Sequence, residues 1–112
     1  MTHLEVHFSS EKLRKVLQDE KKILQKYGEK CGKKIKLRIS NLRTAVNWEE
    51  LKGLPGNWHP LIGDRLGQWA SDLEQPKRLI VEFDGNYSKS DNGEVEHDSV
   101  TEVLVVEIVD YH

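Results

Sequence analysis

The 112-residue chain has one cysteine, three prolines and an aromatic content of 7%. A single cysteine, Cys31, cannot close an internal disulfide, which suits a reducing compartment better than secretion. Long apolar runs are missing too: Val103 to Val106 falls far short of the roughly 20 residues a membrane helix requires. The opening MTHLEVHFSSEK lacks the apolar stretch of a signal peptide. The expectation is a soluble, cytoplasmic protein with no membrane contact. Metal-ligand patterning is also absent. The histidines are His3, His7, His59, His97 and His112, and no pair lies at i, i+4 on a stretch that reads as a helix, as a zinc-binding helix requires. His3 and His7 stand four apart, but LEVHF alternates like a strand, so they read as surface histidines and no metal centre is expected. Gly63-Asp64-Arg65-Leu66-Gly67 reads as a turn between strands rather than a phosphate-cradling loop, so no nucleotide cofactor is expected either.

What is present fits one domain spanning residues 1–112. A chain this long buries roughly two-thirds of its unfolded surface in one core, with no room for a second unit, and this excludes large multi-domain enzymes. Charge is unevenly spread. Residues 1–53 carry 13 Lys/Arg and 7 Asp/Glu, a net of +6, whereas residues 54–112 carry 4 and 12, a net of −8. A basic half could meet nucleic acid or an acidic partner, but the plainer and favoured reading is a solvated, lysine-rich helix surface.

Leu4, Val6 and Phe8 alternate with polar residues and predict a short strand. Ser9-Ser10 offers an N-cap to an amphipathic helix carrying Leu13, Val16, Leu17, Leu24 and Tyr27, which Gly28 would stop. A second helix after Gly32 places Ile35, Ile39, Leu42 and Val46 on one side. Asn47, with Glu50 three residues on, re-caps a short turn before Gly53-Leu54-Pro55-Gly56. From there the period drops toward 2. Trp69, Ser71 and Leu73 share one face of a strand, and Leu79, Val81 and Phe83 share one face of the next, with Arg78, Ile80 and Glu82 opposite. Asp84 to Ser99 is a long polar connection. The final run has apolar residues on both faces between Val103 and Val109, which predicts a strand covered on both sides. Two helices followed by an antiparallel sheet make a two-layer α+β domain.

The chemistry-bearing residues left over are His59, Arg65, Arg78, Asp110, Tyr111 and His112. An imidazole exchanges protons near neutral pH, a guanidinium holds a phosphate through parallel bonds, and a tyrosine donates a hydrogen bond or stacks on a base. Together they suit phosphodiester cleavage. Each also has a plainer reading: Asp64 and Arg65 as a turn and its salt bridge, Arg78 as a partner of Glu82, Trp58 and Trp69 as packing, and Cys31 in the link between helices with no role.

The stretch Leu54 to Trp69, LPGNWHPLIGDRLGQW, then Arg78 through Phe83 and the terminal Val106-Glu107-Ile108-Val109-Asp110-Tyr111-His112, resembles the HigB toxins of the RelE/ParE superfamily. The resemblance implies a RelE-like fold of two N-terminal helices packed on a twisted antiparallel sheet. It implies a ribosome-dependent messenger-RNA endonuclease, neutralised by a HigA-like helix-turn-helix antitoxin. Carried over by matching position, His59 and His112 become the proton-transfer candidates, Arg78 the phosphate clamp, and Asp110 and Tyr111 the supports of the active-site end. The family often carries lysine where this chain has Ile62, and a basic residue near the position of Glu74. Both differences remove positive charge that would help RNA docking. The alternative implied is a non-cutting scaffold that retains the antitoxin-binding surface.

Overall fold

The computed structural model describes residues 3–110. Strand β1 (Glu5–Phe8) is followed by Ser10, whose hydroxyl accepts the Leu13 amide at 3.1 Å and caps α1 (Glu11–Leu17), as the sequence predicts. The helix expected to run on to Tyr27 is interrupted. The Asp19 carboxylate accepts the amides of Lys21 and Lys22 and caps a new helix, α2 (Glu20–Thr44). Within α2, Gly28 takes a left-handed conformation (φ 82°, ψ 174°) that reverses the chain. Lys36 then reaches Glu20 at 3.5 Å, across a separation of 16 residues that would span roughly 24 Å in a straight helix. Gly32 packs against Ile23 and Leu24 in the same hairpin, where a Cβ would lie 3.0 Å from the Leu24 side chain. The expected first helix is therefore two, α1 and the first arm of α2, while the expected second helix lies in the second arm, with Cys31 buried inside that arm rather than in a link.

Helix α3 (Trp48–Lys52) is capped by Asn47, which accepts the Glu50 amide at 3.0 Å; the Glu50 carboxylate returns to the Val46 amide at 3.3 Å. The remainder is β2 (His59–Pro60), a 3-10 turn at Gly63–Arg65, β3 (Gln68–Asp72), β4 (Lys77–Asp84), a loop containing a 3-10 turn at His97–Ser99, and β5 (Glu102–Asp110). These strands form one sheet ordered β1-β5-β4-β3-β2. All neighbours are antiparallel except β1 and β5, which run parallel. The fold is α+β, with the helices on one face of the sheet.

The core lies between the layers. Ile35 and Leu42 from α2, Trp48 and Leu51 from α3, and Leu79, Val81, Val103 and Val105 from the sheet are fully shielded from solvent. Each such side chain contributes about 1.5–3 kcal/mol through removal of apolar surface from water. Trp48 stands at the centre of an aromatic group, edge-on to Trp58, Trp69 and Phe83 with ring centroids 5.1–5.5 Å away.

Strand β5 departs from its predicted coverage. Ile80 pairs with Glu107 while Val81 pairs with Val105, so Val106 is an extra residue and forms a bulge. The bulge changes the side-chain phase, placing Val103, Val105 and Ile108 on the helix-facing side and Leu104, Glu107 and Val109 on the open side. The run looks apolar on both faces in sequence because the alternation restarts midway. No helix among the described residues is long and apolar enough to cross a membrane.

Candidate active site

The open face of the sheet is assembled by cross-strand register. His59 pairs with Ala70, Ala70 with Ile80, and Ile80 with Glu107; one step away, Asp72 pairs with Arg78 and Arg78 with Val109. Register partners share a face, as do residues two apart, so His59, Asp72, Arg78 and Glu107 all lie on the side away from the helices.

His59 is half-buried, with its Nδ1 2.6 Å from the Asn57 carbonyl oxygen. A carbonyl only accepts, so Nδ1 carries the hydrogen, and a neutral ring then has its lone pair on Nε2. Asn57 has a left-handed backbone (φ 53°), a conformation asparagine tolerates better than most residues. This turns its side chain toward β3, where Nδ2 donates to Asp72 Oδ2 at 2.8 Å. The other carboxylate oxygen of Asp72 stands 3.4 Å from Arg78 Nε. A continuous path therefore joins the imidazole to the guanidinium through Asn57 and Asp72.

The path rests on a buried support. The Asp72 amide and the Ser71 hydroxyl both donate to the Gly56 carbonyl, at 2.9 and 2.8 Å. Beneath them Arg38 of α2, only 8% exposed, donates from Nε to Ser71 Oγ at 2.9 Å and from Nη2 to the Asp72 carbonyl at 3.2 Å. Burial lowers the pKa of Arg38 from its ordinary value, and the nearby Asp72 partly opposes that shift.

The other predicted residues are spread around this centre. Arg65 does not form the expected salt bridge with Asp64; it donates to Gln68 and to Glu107, both at 2.8 Å, across the open face. Arg78 pairs with Asp72 instead of Glu82, and Glu82 accepts from Gln68 at 3.4 Å. Asp110 is on the other side of the sheet from His59 and Arg78, 3.4 Å from Lys77 Nζ. On that side the Tyr27 phenol has its pKa raised, mainly by burial and secondarily by Cys31 and Asp110. Tyr111 and His112 lie outside the described residues.

Sequence reasoning missed Asn57, Asp72 and Arg38. The available signal for Asp72 was its place at the end of an alternating run just before Gln75-Pro76, where a hairpin sets it opposite the first residues of the next strand. Two larger cavities, of about 660 and 950 Å³, are lined by neither His59 nor Arg78. The site is a half-buried sheet face: His59, Asp72 and Arg78 are partly exposed around Ala70 and Ile80, which are fully covered. Among the described residues, three side chains come within metal-binding distance of one another, and they lie elsewhere on the sheet.

Comparison with known proteins places this architecture. No protein-family model and no curated protein matches the chain. Among solved structures, a YoeB/ParE toxin from Agrobacterium tumefaciens superposes with a TM-score of 0.59 at 15% identity, covering 97% of this chain and 100% of that one. A YoeB-YefM complex from Staphylococcus aureus superposes with a TM-score of 0.50 at 19% identity, covering 99% of each chain. At these identities the likeness is one of fold, and over nearly its whole length the chain is folded as a YoeB/RelE-like toxin is.

Proposed function

We propose that this chain is the toxin of a toxin–antitoxin pair, a HigB-type endoribonuclease that cuts messenger RNA on the ribosome. The observation that carries this reading is the placement of His59 and Arg78 on one open face, linked through Asn57 and Asp72. The fold supports it, as does the presence of a second protein, YefM, with the Staphylococcus aureus neighbour. The partner proposed for this chain is a HigA-like helix-turn-helix antitoxin.

In this reading Nε2 of His59 takes the proton from a ribose 2′-hydroxyl. The freed oxygen attacks the adjacent phosphorus, the P–O5′ bond breaks, and the departing oxygen receives a proton from His112. Arg78 stabilises the negative charge that gathers on the phosphate oxygens, while Asp72 fixes its direction. Asp110 and Tyr111 are the residues proposed to support the active-site end. The test is induced expression followed by primer extension on cellular messages. New cleavage ends with the wild type that vanish in His59→Ala support the reading; identical ends with both proteins overturn it.

A second reading has its own observation. The cations of the open face stand beside carboxylates, Arg65 with Glu107 and Arg78 with Asp72, and Ile62 is 85% exposed where the HigB resemblance has lysine. Such a face attracts RNA weakly. It favours a scaffold that binds an antitoxin without cutting, and antitoxin capture with no new message ends in any variant would establish it.

A further inference from the structure

At the other edge of the same face, Glu5 of β1 is the register partner of Glu102 of β5, and Glu102 is the register partner of Asp84 of β4. Three carboxylates thus stand side by side across three strands. Like charges directly opposite one another destabilise a sheet unless a cation lies among them. Among the described residues, no lysine or arginine forms an ion pair with any of the three. The group that does approach is the His7 imidazole, two residues along β1 on the same face. Its Nε2 is 3.2 Å from Glu102 Oε1 and 3.8 Å from Glu5 Oε2, and the three ligand atoms lie within 4.8 Å of one another.

We propose that Glu5, His7 and Glu102 bind a divalent transition metal of the zinc class. Metal–ligand bonds of about 2.0–2.1 Å in a tetrahedron put ligand atoms about 3.3 Å apart, and the two His7 distances lie on either side of that value. One imidazole nitrogen with two carboxylates selects zinc, cobalt or nickel over calcium and magnesium, which take oxygen alone. Glu102 is already seated. Gly85 has a left-handed backbone (φ 67°), and a Cβ there would collide with the Glu102 carboxylate, so glycine leaves the space the carboxylate fills. Three protein ligands leave the fourth position to water.

The consequence is mechanical. Strand β1 has four residues, lies at the sheet edge and makes the one parallel pairing in the described sheet, and a bound ion would fasten it to β5. The proposal does not rest on RNA cleavage, since Asp84 is six residues along β4 from Arg78, a distance of about 20 Å.

The test is calorimetric titration of the full chain with zinc, paired with cobalt absorption spectroscopy. One equivalent should bind, cobalt should give the intense visible bands of a tetrahedral site, and the melting temperature should rise with zinc. His7→Ala and Glu5→Gln, both at solvent-exposed positions, should each weaken binding at least tenfold, while His97→Gln should not. Absence of saturable binding to the wild type, or unchanged affinity in both His7→Ala and Glu5→Gln, overturns the proposal.

Discussion

Asp72 and Arg78 face each other directly across the β3–β4 pair, with Oδ1 and Nε 3.4 Å apart and both atoms shut off from solvent. Removing one partner leaves a charge in a sheltered place with its compensation reduced. Asp72→Ala is expected to lower stability by about 1–3 kcal/mol. The Asp72→Ala, Arg78→Ala double variant should lose less than the sum of the single variants. Urea denaturation of the four proteins measures the coupling, and strict additivity would show that the pair contributes nothing.

The reversal at Gly28 requires a positive φ, and no atom lies within 4 Å of where its Cβ would stand. Gly28→Ala therefore meets no neighbouring side chain, and its cost is the backbone strain of a region that only glycine adopts readily, about 1–3 kcal/mol. Denaturation midpoints of the two proteins give the value, and an unchanged midpoint would contradict the assigned backbone.

His97 lies between the edges of Trp69 and Phe83, with Nδ1 2.8 Å from Lys52 Nζ and 4.0 Å from a Glu49 oxygen. Burial, followed by the Lys52 charge, lowers its pKa against a smaller opposing effect of Glu49. A lowered histidine pKa means that the folded chain binds its proton less readily than the unfolded one. The corresponding stability is present above the ordinary value of about 6.5 and is lost as pH falls through the folded value. His97→Gln should flatten this acid-side loss, measured as melting temperature from pH 8 down to pH 5.

Trp48 is fully buried, and its indole nitrogen has no hydrogen-bond partner among the described residues. Trp48→Ala should cost about 3–5 kcal/mol by opening a cavity among Trp58, Trp69 and Phe83. Trp48→Phe should cost clearly less, because it keeps an aromatic ring and sacrifices no polar contact. Equal losses would mean that the nitrogen is paired.

The layer order, the helix after Gly32 and the caps at Ser10 and Asn47 were legible because each depends on residues a few positions apart. The face on which Arg78 lies was legible through strand parity, and His59 was singled out through the resemblance of LPGNWHPLIGDRLGQW to HigB toxins. Asn57, Asp72 and Arg38 were not, since their roles arise from register between strands and from a helix side chain reaching the sheet from its buried side. Asp19 was missed as a helix start because Leu17 and Leu24 keep the helical rhythm across the break. The parallel pairing of β1 depends on where a four-residue strand docks, which no local pattern encodes.

The extra residue at Val106 works as a phase shifter. It lets one strand supply oily contacts to the helices along its whole length while Glu107 emerges on the opposite side to meet Arg65. Were Val106 instead paired in register with Ile80, everything beyond it would turn over, sending Ile108 into water and driving Glu107 toward the helices. That slip of one residue would damage the interior and the outer charge pairing in one stroke.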